Sequence, residues 1–212
     1  MSNTNHVKDA IQTLNQASTR EELLAATKKL ANTGSLDAAT TLIEVLGYNN
    51  PATAVVAIRG LIQLGPPVIP LLLDSLDASD YTTRAWLITI LADLRDTRSL
   101  DALLDAAGTD ISPSVRRTAL RGLATLELTS AADGATDLRR CLNALINGCE
   151  DPEWVVRYAA VFGLERRLND NQLQTSESAM ALRCLQRSAD RQDNVKVVRC
   201  RAQLALKRLS LE

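Results

Sequence analysis

One histidine, one phenylalanine and only six aromatic residues in all leave this 212-residue sequence short of the side chains from which many active sites are built. The lone His6 sits at the N-terminal edge, so a Ser-His-Asp or Cys-His catalytic arrangement has no plausible base. Cys141, Cys149, Cys184 and Cys200 show no C-x-x-C spacing and lie far in sequence from His6, which argues against zinc or any other structural metal. Cys141 and Cys184 fall in helical stretches and read as small buried hydrophobes, whereas Cys149, in the Gly148-Cys149-Glu150 loop, is the candidate for an exposed thiol. Phosphate-binding, dinucleotide-binding and nucleophile-elbow glycine patterns are all missing. No run approaches the roughly 20 apolar residues of a membrane span, and the N-terminal MSNTNHVKDAIQ lacks a basic region followed by an apolar core. The formal net charge of −1 supplies no general field for nucleic acid or an anionic membrane. A cytoplasmic protein without membrane insertion or nucleic-acid binding is expected.

What the sequence does have is repetition. The helical pattern V-R-x-x-A-x-x-x-L fits Val115, Arg116, Ala119 and Leu123, then Val156, Arg157, Ala160 and Leu164, then Val198, Arg199, Ala202 and Leu206. Looser copies begin at Thr83, Thr53 and Glu22. From first to last the spacings are about 31, 30, 32, 41 and 42 residues. Between these copies lie second apolar stretches, such as Leu36 to Gly47, Pro66 to Leu76, Leu100 to Gly108, Leu138 to Gly148 and Ala179 to Ala189, so each repeat is a helix pair. Ser35 and Ser99 suit helix caps, Pro51, Pro113 and Pro152 suit first turns, and Gly34, Gly47, Gly65 and Gly108 suit helix ends. No segment alternates apolar and polar residues long enough for a sheet. The expected fold is all-α, a HEAT-like solenoid of about six helix pairs, forming a single domain over 1–212 with small residues such as Ala57 and Ala119 at close helix contacts.

The register of the repeat sorts each second helix into faces. With the Val or Thr of the motif at offset zero and about 100° of rotation per residue, offsets 0, 4, 7 and 8 face the core. Offsets −2, 2 and 6 face the other way. In the fifth copy those positions hold Trp154, Tyr158 and Phe162, half of the aromatic residues in the chain. The fourth copy has Pro113, Arg117 and Arg121 there, the third Tyr81, Ala85 and Thr89, and the sixth Lys196, Cys200 and Leu204. In HEAT-type arrays the second helix lines the concave side, which places Arg117 and Arg121 between Tyr81 and the aromatic trio. Such a surface suits a flat conjugated ligand with carboxylate arms, and equally a protein partner, because Trp, Tyr and Arg are common interface anchors. Ordinary packing under a neighbouring helix is the competing reading for Tyr158 and Phe162. Trp86, at offset 3, reads as packing. Arg84, Arg116, Arg157 and Arg199, at offset 1, read as a polar ladder from repeat to repeat, with Asp80, Asp110 and Asp151 as nearby carboxylates.

Four of these segments resemble a known family. Val45-Leu-Gly-Tyr-Asn-Asn-Pro51, Tyr81-Thr-Thr-Arg-Ala-Trp86, Pro113-Ser-Val-Arg-Arg117 and Asp151-Pro-Glu-Trp-Val-Val-Arg-Tyr-Ala-Ala160 resemble the HEAT-like repeats of the E/F-type phycobilin lyases, over roughly residues 20 to 208. Length and the Asn49-Asn50-Pro51 region are most similar to the smaller, F-type subunit of the heterodimeric members. The resemblance implies an enzyme that works only with a larger E-type companion and delivers phycocyanobilin to a cysteine of the phycocyanin α subunit as a thioether. Phycocyanobilin is then substrate, with no permanent cofactor, and the nucleophile belongs to the acceptor. By the same resemblance Tyr81, Trp154 and Tyr158 imply bilin or acceptor contacts, and Arg117 and Arg121 imply partners for the propionates. Asp80 and Glu153 occupy one repeat offset at helix starts and are candidates for the carboxylate that keeps the pyrrole nitrogens protonated, against a simple cap or first-turn role. Relatives that isomerise the bilin carry a His-Cys pair that this sequence lacks, so simple attachment, reversible in principle, is the implied reaction. A non-catalytic repeat scaffold for an antenna or other assembly is the alternative.

Overall fold

Twelve α-helices account for the regular structure of the computed structural model, apart from three short 3-10 turns, and no strand occurs among the described residues. Those residues are 2–76, 80–128, 134–170, 173–190 and 193–210. The helices divide between two compact units, residues 1–94 and 95–212. The first unit holds α1 (Ser2–Asn15), α2 (Arg20–Ala31), α3 (Ala39–Leu46), α4 (Pro51–Leu64), α5 (Ile69–Asp74) and α6 (Tyr81–Leu94). The second holds α7 (Leu100–Thr109), α8 (Pro113–Thr125), α9 (Gly134–Gly148), α10 (Trp154–Asn169), α11 (Thr175–Ala189) and α12 (Lys196–Leu209). They form six antiparallel-type pairs in sequence, and the motif copies fall on the second member of each pair, as the repeat spacing requires.

Helix starts follow the expected chemistry with one correction, at Ser99. Thr19 and Glu22 form a capping box on α2, the Thr19 hydroxyl accepting the Glu22 N–H at 3.1 Å while the Glu22 carboxylate accepts the Thr19 N–H at 3.1 Å. Asn50 caps α4 through the N–H groups of Ala52 and Thr53, and Pro51 fills the first turn with its preset φ. Ser35 does cap, at a 3-10 turn over Leu36–Ala38 that leads into α3. Ser99 does not. The preceding 3-10 turn, Thr97–Ser99, is capped by Asp96, and the Ser99 hydroxyl is buried without a hydrogen-bond partner. Of the four glycines expected at left-handed helix ends, Gly34 and Gly65 adopt positive φ, while Asn49 (φ 49°) and Arg95 (φ 55°) supply the other left-handed turns.

Packing keeps the predicted register. Ala57, Leu61, Leu87, Leu91, Ala119, Leu123, Ala160, Leu164, Val198 and Ala202 are completely buried. In the first unit α2 packs on α4 and α4 on α6; in the second α8 packs on α10 and α10 on α12. Each unit therefore contains an inner row of second helices with the first helices laid against it. Gly163 shows how tight the second row is: a Cβ there would stand 2.4 Å from Leu145 Cδ2 and 3.1 Å from Ala124 Cβ. Only a residue without a side chain lets α10 sit this close to α8 and α9.

Candidate functional site

The inner row of the second unit is locked by arginines at motif offset 1. Arg116 donates Nε and Nη2 to the two oxygens of Asp151 at 2.7 and 2.9 Å, and Nη1 to the carbonyls of Asp110 and Ile111. Arg157 repeats the arrangement one repeat later, gripping Asp193 at 2.7 and 3.1 Å and the carbonyls of Asp151 and Pro152. Arg199 holds the Asp193 carbonyl at 2.6 Å. In the second unit the expected ladder is present, and it leans forward: Arg116 and Arg157 each fasten the loop before their own helix and the carboxylate of the next repeat's loop. That direction brings in Asp193, which sequence reasoning did not name; the Asp110 carboxylate accepts the Ser112 N–H at 2.8 Å.

Burial acts to raise the carboxyl of Asp151, but the Arg116 hydrogen bonds and the Glu153 N–H outweigh it and hold the group below the usual carboxylate range. Asp193 behaves in the same way, with Arg157 and the Val195 N–H prevailing over desolvation. The guanidinium pKa of Arg116 is raised in return, chiefly by its hydrogen bonds to Asp151. Both pairs are largely shielded, with side-chain exposures of 12% and 11% for Arg116 and Asp151, and 12% and 6% for Arg157 and Asp193.

Above this frame α8 and α10 present a groove of about 530 Å³, with Arg117 and Arg121 on one side, Trp154, Tyr158 and Phe162 on the other, and Val197 of α12 at its edge. Trp154 is 44% exposed and Tyr158 36%, whereas Phe162 is half-buried and carries the Arg121 guanidinium 5.9 Å from its ring centre. Offsets −2, 2 and 6 of α10 and offsets 2 and 6 of α8 thus face a common groove, and Phe162 belongs to its lining rather than to the core. Arg117 and Arg121 are exposed, and no ion pair engages either among the described residues. Two like charges at i, i+4 repel each other unless an anion lies between them.

Tyr81 opens α6 in the first unit and is 50% exposed. Asp80 caps that helix, its Oδ1 accepting the Thr83 N–H at 2.9 Å, so the cap role accounts for one carboxylate oxygen. Glu153 stands at the N-cap position of α10 without a side-chain capping bond; its backbone N–H goes to Asp151 instead. The exposed Glu153 carboxylate therefore remains available one residue from Trp154.

Cys141 and Cys184 are buried as expected, and burial pushes the Cys141 thiol up to about 11. Cys149, expected in an open loop, is buried as well, because the chain turns at the end of α9 and tucks the side chain inward. The exposed cysteine is Cys200, at offset 2 of α12.

Sequence reasoning missed two buried arginines. Arg167 reaches the carbonyls of Leu123 at 3.1 and 2.5 Å and of Leu126 at 3.0 Å, satisfying acceptors left over where α8 ends. Arg201 pairs with Glu165, both about nine-tenths buried or more, and lies 5.4 Å from the Phe162 ring centre. The available signal was charge at offsets that flank the core, which periodicity alone does not distinguish from a solvated edge.

Stacked helix pairs with a repeated motif on the second helix of each define a HEAT-repeat protein. Residues 69–144 match the HEAT repeats family and residues 141–166 match a HEAT repeat. The bilin biosynthesis protein RpcF of Synechococcus sp. strain WH8020 is 48% identical across 99% of either chain, and the phycocyanobilin lyase subunit beta of Nostoc sp. strain PCC 7120 is 42% identical over 74% of this chain and 80% of its own. This chain belongs to the family of phycocyanobilin lyase β subunits and related bilin biosynthesis proteins. A solved complex of CpcE and CpcF of phycocyanin lyase from Nostoc sp. PCC7120 matches with a TM-score of 0.73 and 40% identity, covering 81% of this chain and 99% of that one. A designed armadillo repeat protein, 17% identical with a TM-score of 0.54 over 96% of this chain and 99% of its own, shares the repeat fold.

Proposed function

We propose that this chain is the β, F-type half of a heterodimeric lyase that attaches phycocyanobilin to a cysteine of the phycocyanin α subunit. The observation that carries the site assignment is the groove between α8 and α10, where unpaired arginines face exposed aromatic rings. A bilin is long, conjugated and apolar along its tetrapyrrole and carries two propionates. Its rings pack against Trp154 and Tyr158, and its propionates take the forks of Arg117 and Arg121. Tyr81, at the same repeat position on α6 as Trp154 on α10, marks the corresponding face of the first unit as a contact for bilin or acceptor protein. The reading extends to 1–212 acting as one repeat domain in the cytoplasm, with bilin as substrate and no resident cofactor.

The bond made is between the acceptor sulfur and the exocyclic carbon of the ring A ethylidene. The thiol adds across that double bond: sulfur goes to the exocyclic carbon, a proton goes to the ring carbon, and no group leaves. The lyase holds bilin and thiol in attack geometry, a large source of rate enhancement. A carboxylate next to the pyrrole nitrogens keeps the bilin protonated and more electrophilic. Glu153 is the better placed of the two candidates, because Asp80 is engaged as a cap. An E-type companion closes over the bilin face that an open groove leaves in water. Detachment follows the same path in reverse.

Reconstitution tests the reading. The chain, its companion, phycocyanobilin and apo-α-phycocyanin together should give covalently bound chromophore that survives denaturing electrophoresis, and omission of either subunit should reduce it to the spontaneous level. Equal labelling of an acceptor lacking its cysteine, or no gain over spontaneous addition, would overturn the reading.

A further inference from the structure

Arg201 is a buried cation whose hydrogen bonding is unfinished. Its side chain is 6% exposed, its Nη2 pairs with Glu165, and its Nη1 has no acceptor. Glu165 is shared besides with Arg208, whose Nη1 lies 3.4 Å from Oε1. Two guanidiniums therefore divide one carboxylate. Buried donors in folded proteins are almost always satisfied, and a structural ion pair would gain by completing its set. A donor left over in such a place is suited to an acceptor that arrives later.

The position of Arg201 indicates where that acceptor would come from. Its guanidinium lies 5.4 Å from the centre of the Phe162 ring, and Phe162 lines the groove while Arg201 does not. The ring therefore borders both the groove and the guanidinium that carries the unfilled donor. Arg121 lies over the same ring at 5.9 Å, so a carboxylate drawn to Arg121 arrives beside Phe162. A phenyl ring on a single Cα–Cβ rotor has few states to choose from, and the groove gives it room to turn.

We propose that Phe162 is a movable cover and that one carboxylate of the groove ligand displaces it and accepts a hydrogen bond from Arg201 Nη1. This rests on the bilin reading of the groove and adds a third, hidden guanidinium to the two exposed ones. The hidden contact is made in a place that excludes water, where a charge-assisted hydrogen bond is strongest. It makes the site selective for a free acid over an ester, a choice that Arg117 and Arg121 at the surface enforce less strongly.

The test compares binding of free phycocyanobilin and its dimethyl ester to the chain with its companion subunit, followed by bilin absorbance. Because Arg201→Met alone strands Glu165 in the interior, the informative variant is Arg201→Met with Glu165→Leu, which removes both charges together. The acid-to-ester affinity ratio should fall about tenfold or more in that variant, and Phe162→Ala should hold or raise it. A ratio within about twofold of wild type in a variant that melts normally would show that Arg201 is only structural. Loss of acid and ester binding together in Phe162→Ala would make the ring a fixed wall and overturn the cover. If neither compound binds the unaltered complex, the bilin reading falls first and this proposal with it.

Discussion

Arg116 holds Asp151 through two parallel hydrogen bonds, and the same carboxylate receives the backbone N–H of Glu153, so the ion pair between repeats also fixes the first turn of the helix that carries Trp154. Groove and frame are therefore one mechanical unit, from the loop before α8 to the start of α10. Arg157 and Asp193 do the same for the start of α12.

Arg116→Met should lower the unfolding free energy by about 3 kcal/mol, because it leaves the shielded Asp151 carboxylate without its partner. Urea unfolding followed by circular dichroism measures it. A loss below about 1 kcal/mol would reduce the pair to an ordinary surface contact.

Acid should weaken this frame. The folded pKa values of Asp151 and Asp193 are depressed, so their contribution to stability is complete above the ordinary carboxylate range and is lost as pH falls through the folded values. Asp151→Asn with Asp193→Asn should lower stability near neutral pH and flatten its decline in acid. Melting curves from about pH 7 to about pH 3 decide the point, and an acid limb as steep as that of the parent would locate the titration elsewhere.

Arg117→Ala should move stability and binding in opposite directions, and Arg121→Ala should lower binding without raising stability. Relief of i, i+4 repulsion adds a few tenths of a kcal/mol of stability for Arg117→Ala, while Arg121→Ala also gives up its contact with Phe162. Bilin affinity should fall about tenfold or more for each if the guanidinium meets a propionate. Thermal melts and bilin titration on the same samples separate the two effects.

Trp154→Ala and Tyr158→Ala should each reduce bilin affinity by roughly 2- to 13-fold, in keeping with about 0.5 to 1.5 kcal/mol per aromatic contact, and barely change stability because both rings are exposed. Absorbance of the non-covalent complex reads the first, and unfolding midpoints the second. Undiminished chromophore attachment in the double variant would support a passive scaffold.

The helix pairs were legible because V-R-x-x-A-x-x-x-L fixes a rotation as well as a helix. Once Val156 and Ala160 face inward, Trp154 and Tyr158 must face outward, and the same rule on α8 brings Arg117 and Arg121 to meet them. Arg201 and Glu165 were not legible, because they lie at the flank of the buried face and pair across 36 residues. Only the packing of α12 on α10 reveals that they meet. The forward lean of the arginine ladder was hidden for a similar reason: a guanidinium reaches five or six residues back and a whole repeat ahead, and spacing does not say which carboxylate it selects. Ser99 misled because a 3-10 turn runs through it and gives the residue before α7 helical φ and ψ in place of the extended backbone that a capping side chain needs.

The buried thiols bear on a hazard peculiar to a carrier of electrophiles. A protein that delivers a thiol-reactive bilin to another chain must avoid alkylating itself. Cys141, Cys149 and Cys184 lie inside the helix stack, and Cys141 in particular stays protonated at physiological pH. Folding thus acts as a protecting group for three of the four cysteines, and an unfolded or partly assembled subunit becomes a decoy acceptor. Cys200 stays outside that protection, and misdirected adducts should be found there first.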